Sequence, residues 1–283
     1  MRSGPRMGPV GRRPMPRVIR ALLLFAWSTA IVAASLPALA ASPLPRPTST
    51  PVPPPALEEL RLPDLRTLDP SDLRLRVRRD GSRRLRLANT VWNGGPGPLE
   101  LRGEPDPSGA RINVFQVLYA VDGSTSEQPV GEFTFHPTHA HWHLDDFAVY
   151  ELWSLSPTAE LHQVVASSDK VSYCMIDTDL VAPQLEGVTE AQQYRGCGRL
   201  RQGLSIGWGD HYHAGLDGQE LELGLVPDGI YALVSSANRS GRILESDAGN
   251  NAAVIYIALT GSRVSILSSQ ELAREFCLPR DAC

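Results

Sequence analysis

Apolar and polar positions alternate with a period of two through much of this chain, the pattern of strands that bury one face. Leu73, Leu75 and Val77 alternate with arginines, Asp80-Gly81 supplies a turn, and Leu85 and Leu87 resume the alternation, which predicts a hairpin. Val114 to Val121 reads as a strand closed by Asp122-Gly123, and Phe147 to Leu152 is an apolar strand run. Leu221 to Leu225 and Ile230 to Val234 flank Pro227-Asp228-Gly229 and predict a second hairpin. Ala252 to Leu259 is apolar without a break, as expected of a buried central strand. Helix is scarce: Ser268 and Glu271 form a capping box ahead of Leu272 to Phe276, and no repeat is visible. Short strands separated by turn signals predict an all-β protein, a β-sandwich core with long loops and little helix.

A different pattern precedes that region. Arg2, Arg6, Arg12, Arg13, Arg17 and Arg20 lead into an apolar run from Ala21 to Leu36, and Ala38-Leu39-Ala40 offers a small-x-small cleavage site. Residues 1–40 are therefore expected to be a signal peptide, and residues 41–59 a Pro/Ser/Thr-rich linker. The folded domain is expected over 60–260, followed by a tail, 261–283, with a short helix. No other stretch is apolar for long enough to span a bilayer, so a secreted or extracytoplasmic product without a stable membrane anchor is expected after cleavage.

Composition sharpens this picture at three points. Removing the six arginines of residues 1–40 leaves 21 basic against 31 acidic residues, a formal charge of −10. That charge argues against nucleic acid as a partner; it suits cationic substrates and plain solubility equally. Of the 27 Lys and Arg residues 26 are Arg, and the one lysine is Lys170. Arginine cannot replace lysine where an unprotonated amine must act as nucleophile, because guanidinium stays charged. The four cysteines suit an oxidising compartment. Three pairings exist in principle, and Cys174 with Cys197 and Cys277 with Cys283 would keep both bridges local.

Candidate chemistry is concentrated in His136-Pro137-Thr138-His139-Ala140-His141-Trp142-His143, where four of the seven histidines fall in eight residues. His139, His141 and His143 alternate and would share one face of a strand. A straight strand rises about 3.3 Å per residue, so the three rings can converge on one ion only if the chain bends or bulges. Histidines without a nearby cysteine suit copper, zinc, iron or nickel.

These residues, with Asp145-Asp146-Phe147 and Tyr150-Glu151-Leu152 after them, resemble the copper-binding segment of the lysyl oxidase catalytic domain. The resemblance continues in order through Leu62-Pro63-Asp64-Leu65, Lys170 to Thr178, Gly203-Leu204-Ser205-Ile206-Gly207, Asp210-His211-Tyr212, Pro227 to Tyr231 and Glu245 to Asn251. It spans residues 60–260 and implies a copper amine oxidase carrying lysine tyrosylquinone, a quinone made from its own lysine and tyrosine. His139, His141 and His143 would be the copper ligands, and Lys170 and Tyr212 the cofactor precursors. A primary amine, peptidyl lysine or a small amine, would be oxidised by dioxygen to an aldehyde with release of ammonia and hydrogen peroxide. Asp145, Asp146 and Asp210 are candidates for the base, and His136, His211 and His213 for groups that orient the site. Tyr173, Tyr194 and Tyr231 are expected to be packing residues.

The resemblance also implies a calcium ion held by Glu245, Asp247, Asn250 and Asn251, with Asp64 and the Leu65 backbone supplied from the start of the domain. Without it, that stretch reads as a polar turn before the Ala252 strand. Trp208 and Gly209 stand where the animal enzymes have a cysteine and an aromatic, and Gly218 where they have a cysteine, so only the Cys174–Cys197 bridge is implied as shared. Two rival readings use the same histidines: a non-catalytic extracellular copper-binding protein, and a zinc hydrolase, which has no use for Lys170.

Overall fold

The computed structural model describes residues 56–168 and 171–277. The expected signal peptide and most of the linker lie outside them, as do Lys170 and Cys283. After a 3-10 turn at Leu57–Glu59 come β1 (Leu60–Arg61), β2 (Leu65–Thr67), β3 (Ser71–Val77), β4 (Arg83–Asn93), β5 (Leu99–Pro105) and β6 (Ile112–Ala120). Next are β7 (Thr125–His136), β8 (His141–Leu155), β9 (Leu161–Ser167), β10 (Val171–Tyr173), β11 (Asp179–Leu180) and β12 (Arg201–Leu204). The chain finishes with β13 (Trp208–Tyr212), β14 (Glu220–Gly224), β15 (Gly229–Ala237), β16 (Ala252–Thr260), β17 (Arg263–Leu267) and a helix, α1 (Ser269–Glu275).

Two antiparallel sheets share one core. The larger runs β12-β5-β6-β7-β8-β15-β16-β17, with β1 added to β6 and both β9 and β10 to β8. The smaller runs β11-β13-β4-β14, with β2 and β3 also on β4. Leu65, Leu85, Leu87, Val91 and Leu221 from the smaller sheet meet Leu101, Ile112, Phe133, Tyr150, Leu152 and Ile257 from the larger. Burial of these inward positions is the main stabilising term for the sandwich, about 1.5–3 kcal/mol for each large aliphatic side chain. The all-β expectation is borne out.

The 73–87 hairpin forms as expected, β3 on β4, with Gly81 at φ 83 in the turn. The capping box also forms: Ser268 and Glu271 each bond the other's backbone at the start of α1. The sheet continues past residue 260, because β17 pairs with β16.

Two strand expectations need correction. Leu221–Leu225 and Ile230–Val234 are not a hairpin: β14 pairs with β4 in the smaller sheet, whereas β15 lies between β8 and β16 in the larger. Leu221 is fully buried opposite Leu85. The chain then turns at Gly224, φ 57, and Arg83 anchors the crossover through Asp228, at 2.7 Å, and the Val226 carbonyl. The turn signature is genuine, but the strands it joins bury their apolar faces from opposite sides of the core. β16 is interior to its sheet, yet only alternate residues are buried and Val254 is 40% exposed. Its outer face is open to solvent because no third layer among the described residues covers it.

Candidate functional site

The histidine segment is a hairpin turn and not one continuous strand. β7 ends at His136, the chain reverses through Pro137, Thr138, His139 and Ala140, and β8 starts at His141, opposite His136 in register. Pro137 has no N–H to give a ladder, and Ala140 takes φ 56. The amides of His139 and Ala140 both donate to the His136 carbonyl, at 3.1 and 2.8 Å. The bend required for convergence is thus this turn, which folds His139 back over His141 and His143.

One ring nitrogen from each of His139, His141 and His143 lies within 4.8 Å of the others. His141 Nε2 and His143 Nε2 are 2.7 Å apart, and His139 Nδ1 is 3.4 Å from His143 Nε2. His139 Nε2 is buried without a hydrogen-bond partner among the described residues. Burial, then the neighbouring imidazoles, lower all three pKa values, that of His143 to about 3. The rings are therefore neutral and present lone pairs to a common point, and the cluster can hold a metal ion. His143 Nδ1 lies 2.8 Å from Ser172 Oγ on β10. Protonation of Nδ1 toward that hydroxyl leaves Nε2 for the metal.

Trp142 points to the opposite face, edge-on to Phe135 at 5.4 Å. Its main chain is clasped by the 174–204 loop: Trp142 N donates to Cys197 O, and Gln202 Nε2 to Trp142 O at 2.8 Å. Cys174 and Cys197 are disulfide-bonded. Cys277 is also disulfide-bonded, but the expected partner Cys283 lies outside the described residues.

Tyr212 ends β13 on the other sheet and is 8% exposed. The Cys174 amide donates to its hydroxyl at 2.9 Å, and the hydroxyl donates to the Cys174 carbonyl at 3.3 Å. Its ring lies 4.1 Å from that of Tyr173. Burial, then the charge of Asp210, push the Tyr212 phenol well up. Tyr212, His139 and His141 share the wall of one cavity of about 320 Å³. Lys170 is outside the described residues; its neighbour Val171 opens β10, paired with Ala148 of β8.

The three acids separate clearly. Asp145 accepts from Thr134 Oγ1 at 2.6 Å on the exposed hairpin, and Asp146 pairs with Arg242 at 2.5 Å. Asp210 is buried beside Tyr212, and burial pushes its pKa well above the carboxylate range. His136 packs on His139 at 4.3 Å, with Nδ1 near Thr138 Oγ1. His211 Nδ1 meets Thr90 Oγ1 at 2.8 Å, while His213 Nδ1 accepts from the Gly215 amide at 3.1 Å. Tyr194 and Tyr231 bond Glu100 and the Pro227 carbonyl, as packing residues.

A second cluster ties β2 to the loop between β15 and β16. The Leu65 amide donates to Glu245 Oε2 at 2.9 Å, and Asn251 Nδ2 to Glu245 Oε1 at 2.6 Å. Asn250 Nδ2 donates to Asp247 at 3.0 Å, and the Ser246 amide to the Pro63 carbonyl at 2.8 Å. Oδ1 of Asp64, Asn250 and Asn251 are buried without a hydrogen-bond partner among the described residues. Unsatisfied oxygens of this kind fit a hard cation such as calcium.

Ser172 and Gln202 are contributors that the linear sequence did not flag, and Tyr173, expected as a packing residue, is packed in the core and hydrogen-bonded as well. Tyr173 lies in a buried chain of donors running from Ser235 through Asn89, Tyr173 and Tyr150 to Gln219. Its phenol is pushed up to about 12, chiefly by burial.

Fold and site together define an all-β protein with a three-histidine cluster of metal-binding geometry beside a buried tyrosine. The chain belongs to the lysyl oxidase family, whose profile matches residues 120–269, over half its length. It is similar to protein-lysine 6-oxidase of Gallus gallus, 34% identical over 137 residues, which cover 47% of this chain and 30% of that protein. The Sus scrofa protein of the same name is 32% identical over 137 residues, 47% of this chain and 50% of the relative. Lysyl oxidase homolog 1 of Homo sapiens is 32% identical over 139 residues, 49% and 22% respectively. Each match spans half or less of the relative's own length. No helix among the described residues is long and apolar enough to cross a membrane.

Proposed function

We propose that this protein is a secreted copper amine oxidase that converts primary amines, peptidyl lysine or small amines, to aldehydes. The observation that carries the reading is a cluster of three convergent, neutral histidines, two of which, His139 and His141, share a cavity wall with Tyr212. Family membership supports the same chemistry.

When bound, copper and a lysine tyrosylquinone made from Lys170 and Tyr212 supply two-electron oxidation of the amine, with ammonia released and dioxygen reduced to hydrogen peroxide. His139, His141 and His143 would hold the copper, and Ser172 keeps the His143 ring turned toward it. The Cys174 backbone and the Tyr173 ring position Tyr212 on the facing sheet. Gln202 and the Cys174–Cys197 bridge fasten the intervening loop to the histidine strand, so both halves of the site are held in register. Asp64, Leu65, Glu245, Asp247, Asn250 and Asn251 would hold calcium as a structural staple between the domain's first strands and its penultimate loop.

The test is hydrogen peroxide release from copper-loaded, aerated protein supplied with a primary amine. Turnover should vanish in both Tyr212→Phe and Lys170→Arg. Full activity in both variants would overturn the quinone reading, and stoichiometric copper with no turnover in the wild type would favour the binding-protein alternative.

A further inference from the structure

The cavity that Tyr212 shares with His139 and His141 contains one carboxyl group with an oxygen left over from structural hydrogen bonding. Asp210 is 2% exposed, and its Oδ2 has no hydrogen-bond partner among the described residues. It stands two residues before Tyr212 on β13, so the two side chains leave the strand on the same face. Both line the cavity of about 320 Å³, together with His139, His141 and the apolar Ile176 and Leu216.

A buried carboxyl oxygen without a partner costs stability, and such atoms are rare outside functional sites. The neighbouring acids show the contrast. Asp177, also buried, accepts from Ser205 N and Oγ and from the Gln193 and Tyr194 amides, between 2.7 and 3.1 Å. Asp179 is exposed and accepts from the Thr178 hydroxyl. Burial, followed by the charges of Asp179 and Asp177, raises the proton affinity of Asp210, and only an Ile176 backbone hydrogen bond opposes this. High proton affinity in an apolar chamber suits a group that must take a proton from carbon.

We propose that Asp210 is the catalytic base of the amine oxidation, an assignment that rests on the function proposed above. Its Oδ2 takes one proton from the carbon that bears the amine, and the electron pair of that C–H bond passes to the quinone. Dioxygen later accepts those two electrons and two protons as hydrogen peroxide. Water supplies the aldehyde oxygen as nitrogen leaves as ammonia. Tyr212 and Asp210 thus form one unit on successive positions of the buried face of β13: the first becomes the electron acceptor, and the second receives the proton.

The experiment compares wild type, Asp210→Asn and Asp210→Glu as full chains in three measurements. Hydrazine titration counts the quinone, turnover of n-butylamine and its α-deuterated form reads the proton step, and thermal melting without metal reads folding. Asp210→Asn should keep its hydrazine titre, lose about 10²- to 10⁴-fold in kcat and show an undiminished or larger isotope effect. Its metal-free melting temperature should be unchanged or higher, because a buried carboxyl with one unpartnered oxygen has been replaced by a neutral amide that can keep the Ile176 hydrogen bond. Asp210→Glu should recover part of the lost rate. The assignment is overturned if Asp210→Asn turns over within about threefold of wild type. It is also overturned if that variant forms no quinone, which makes Asp210 a cofactor-forming residue, or melts lower by about 5 °C or more, which makes it structural. A wild type without a hydrazine-reactive group would instead defeat the functional reading, and a lowered Asp210→Asn melting temperature would still refute this assignment separately.

Discussion

Ser172→Ala removes the hydroxyl that faces His143 Nδ1 at 2.8 Å while leaving all three ring nitrogens of the cluster in place. His143 is 1% exposed, so water cannot replace the lost partner without opening the core. A buried donor left unsatisfied costs about 1–3 kcal/mol. Loss of the group that orients a ligating histidine typically lowers metal affinity by about 10- to 100-fold, or about 1.4–2.7 kcal/mol, so the two estimates agree. Competition for copper between the protein and a chromophoric chelator measures the change directly. Ser172→Thr keeps the hydroxyl and should bind within a few-fold of wild type. An alanine variant that holds copper as tightly as wild type would show that the Ser172 contact does not orient the ligand, and would refute the reasoning.

Calcium chelation should lower the melting temperature, and Asp247→Ala or Asp64→Ala should abolish most of that response; at calcium about 100-fold above Kd the ion contributes about 2.7 kcal/mol. A variant that melts like wild type and still responds fully to calcium would remove the staple. Non-reducing peptide mapping should recover Cys174 joined to Cys197, and replacing both by serine should cost about 2–4 kcal/mol by freeing the loop between them. Free thiols at both positions in the aerated protein would contradict the structure.

Much of the fold was legible because one-sided strands and turn residues leave local marks, as at Asp80-Gly81 and in the Ser268 capping box. What local pattern does not carry is the identity of a strand's partner. Pro227-Asp228-Gly229 marks a turn whether the flanking strands pair or part, and only the burial of Leu221 against β4 decides the matter. Unbroken apolar character in Ala252 to Leu259 likewise records β-branched preference, while solvent reaches the outer face of β16. The three histidines were found by spacing, together with the requirement that the chain bend. Pro137 was the sign that the bend is a turn, and alternation alone does not distinguish a strand from a tight reversal. Ser172 and Gln202 act through contacts 29 and 60 residues away in sequence, so nothing near them in the chain could mark them.

The pairing of Lys170 with Tyr212 is the central claim, since those residues lie 42 positions apart and must be joined by the fold. Peptide mass spectrometry of the copper-loaded, aerated chain tests it most directly. A crosslinked peptide containing Lys170 and Tyr212, absent from metal-free protein and from Lys170→Arg, is the predicted result. Recovery of both residues in separate, unmodified peptides from protein that holds one copper per chain would contradict it.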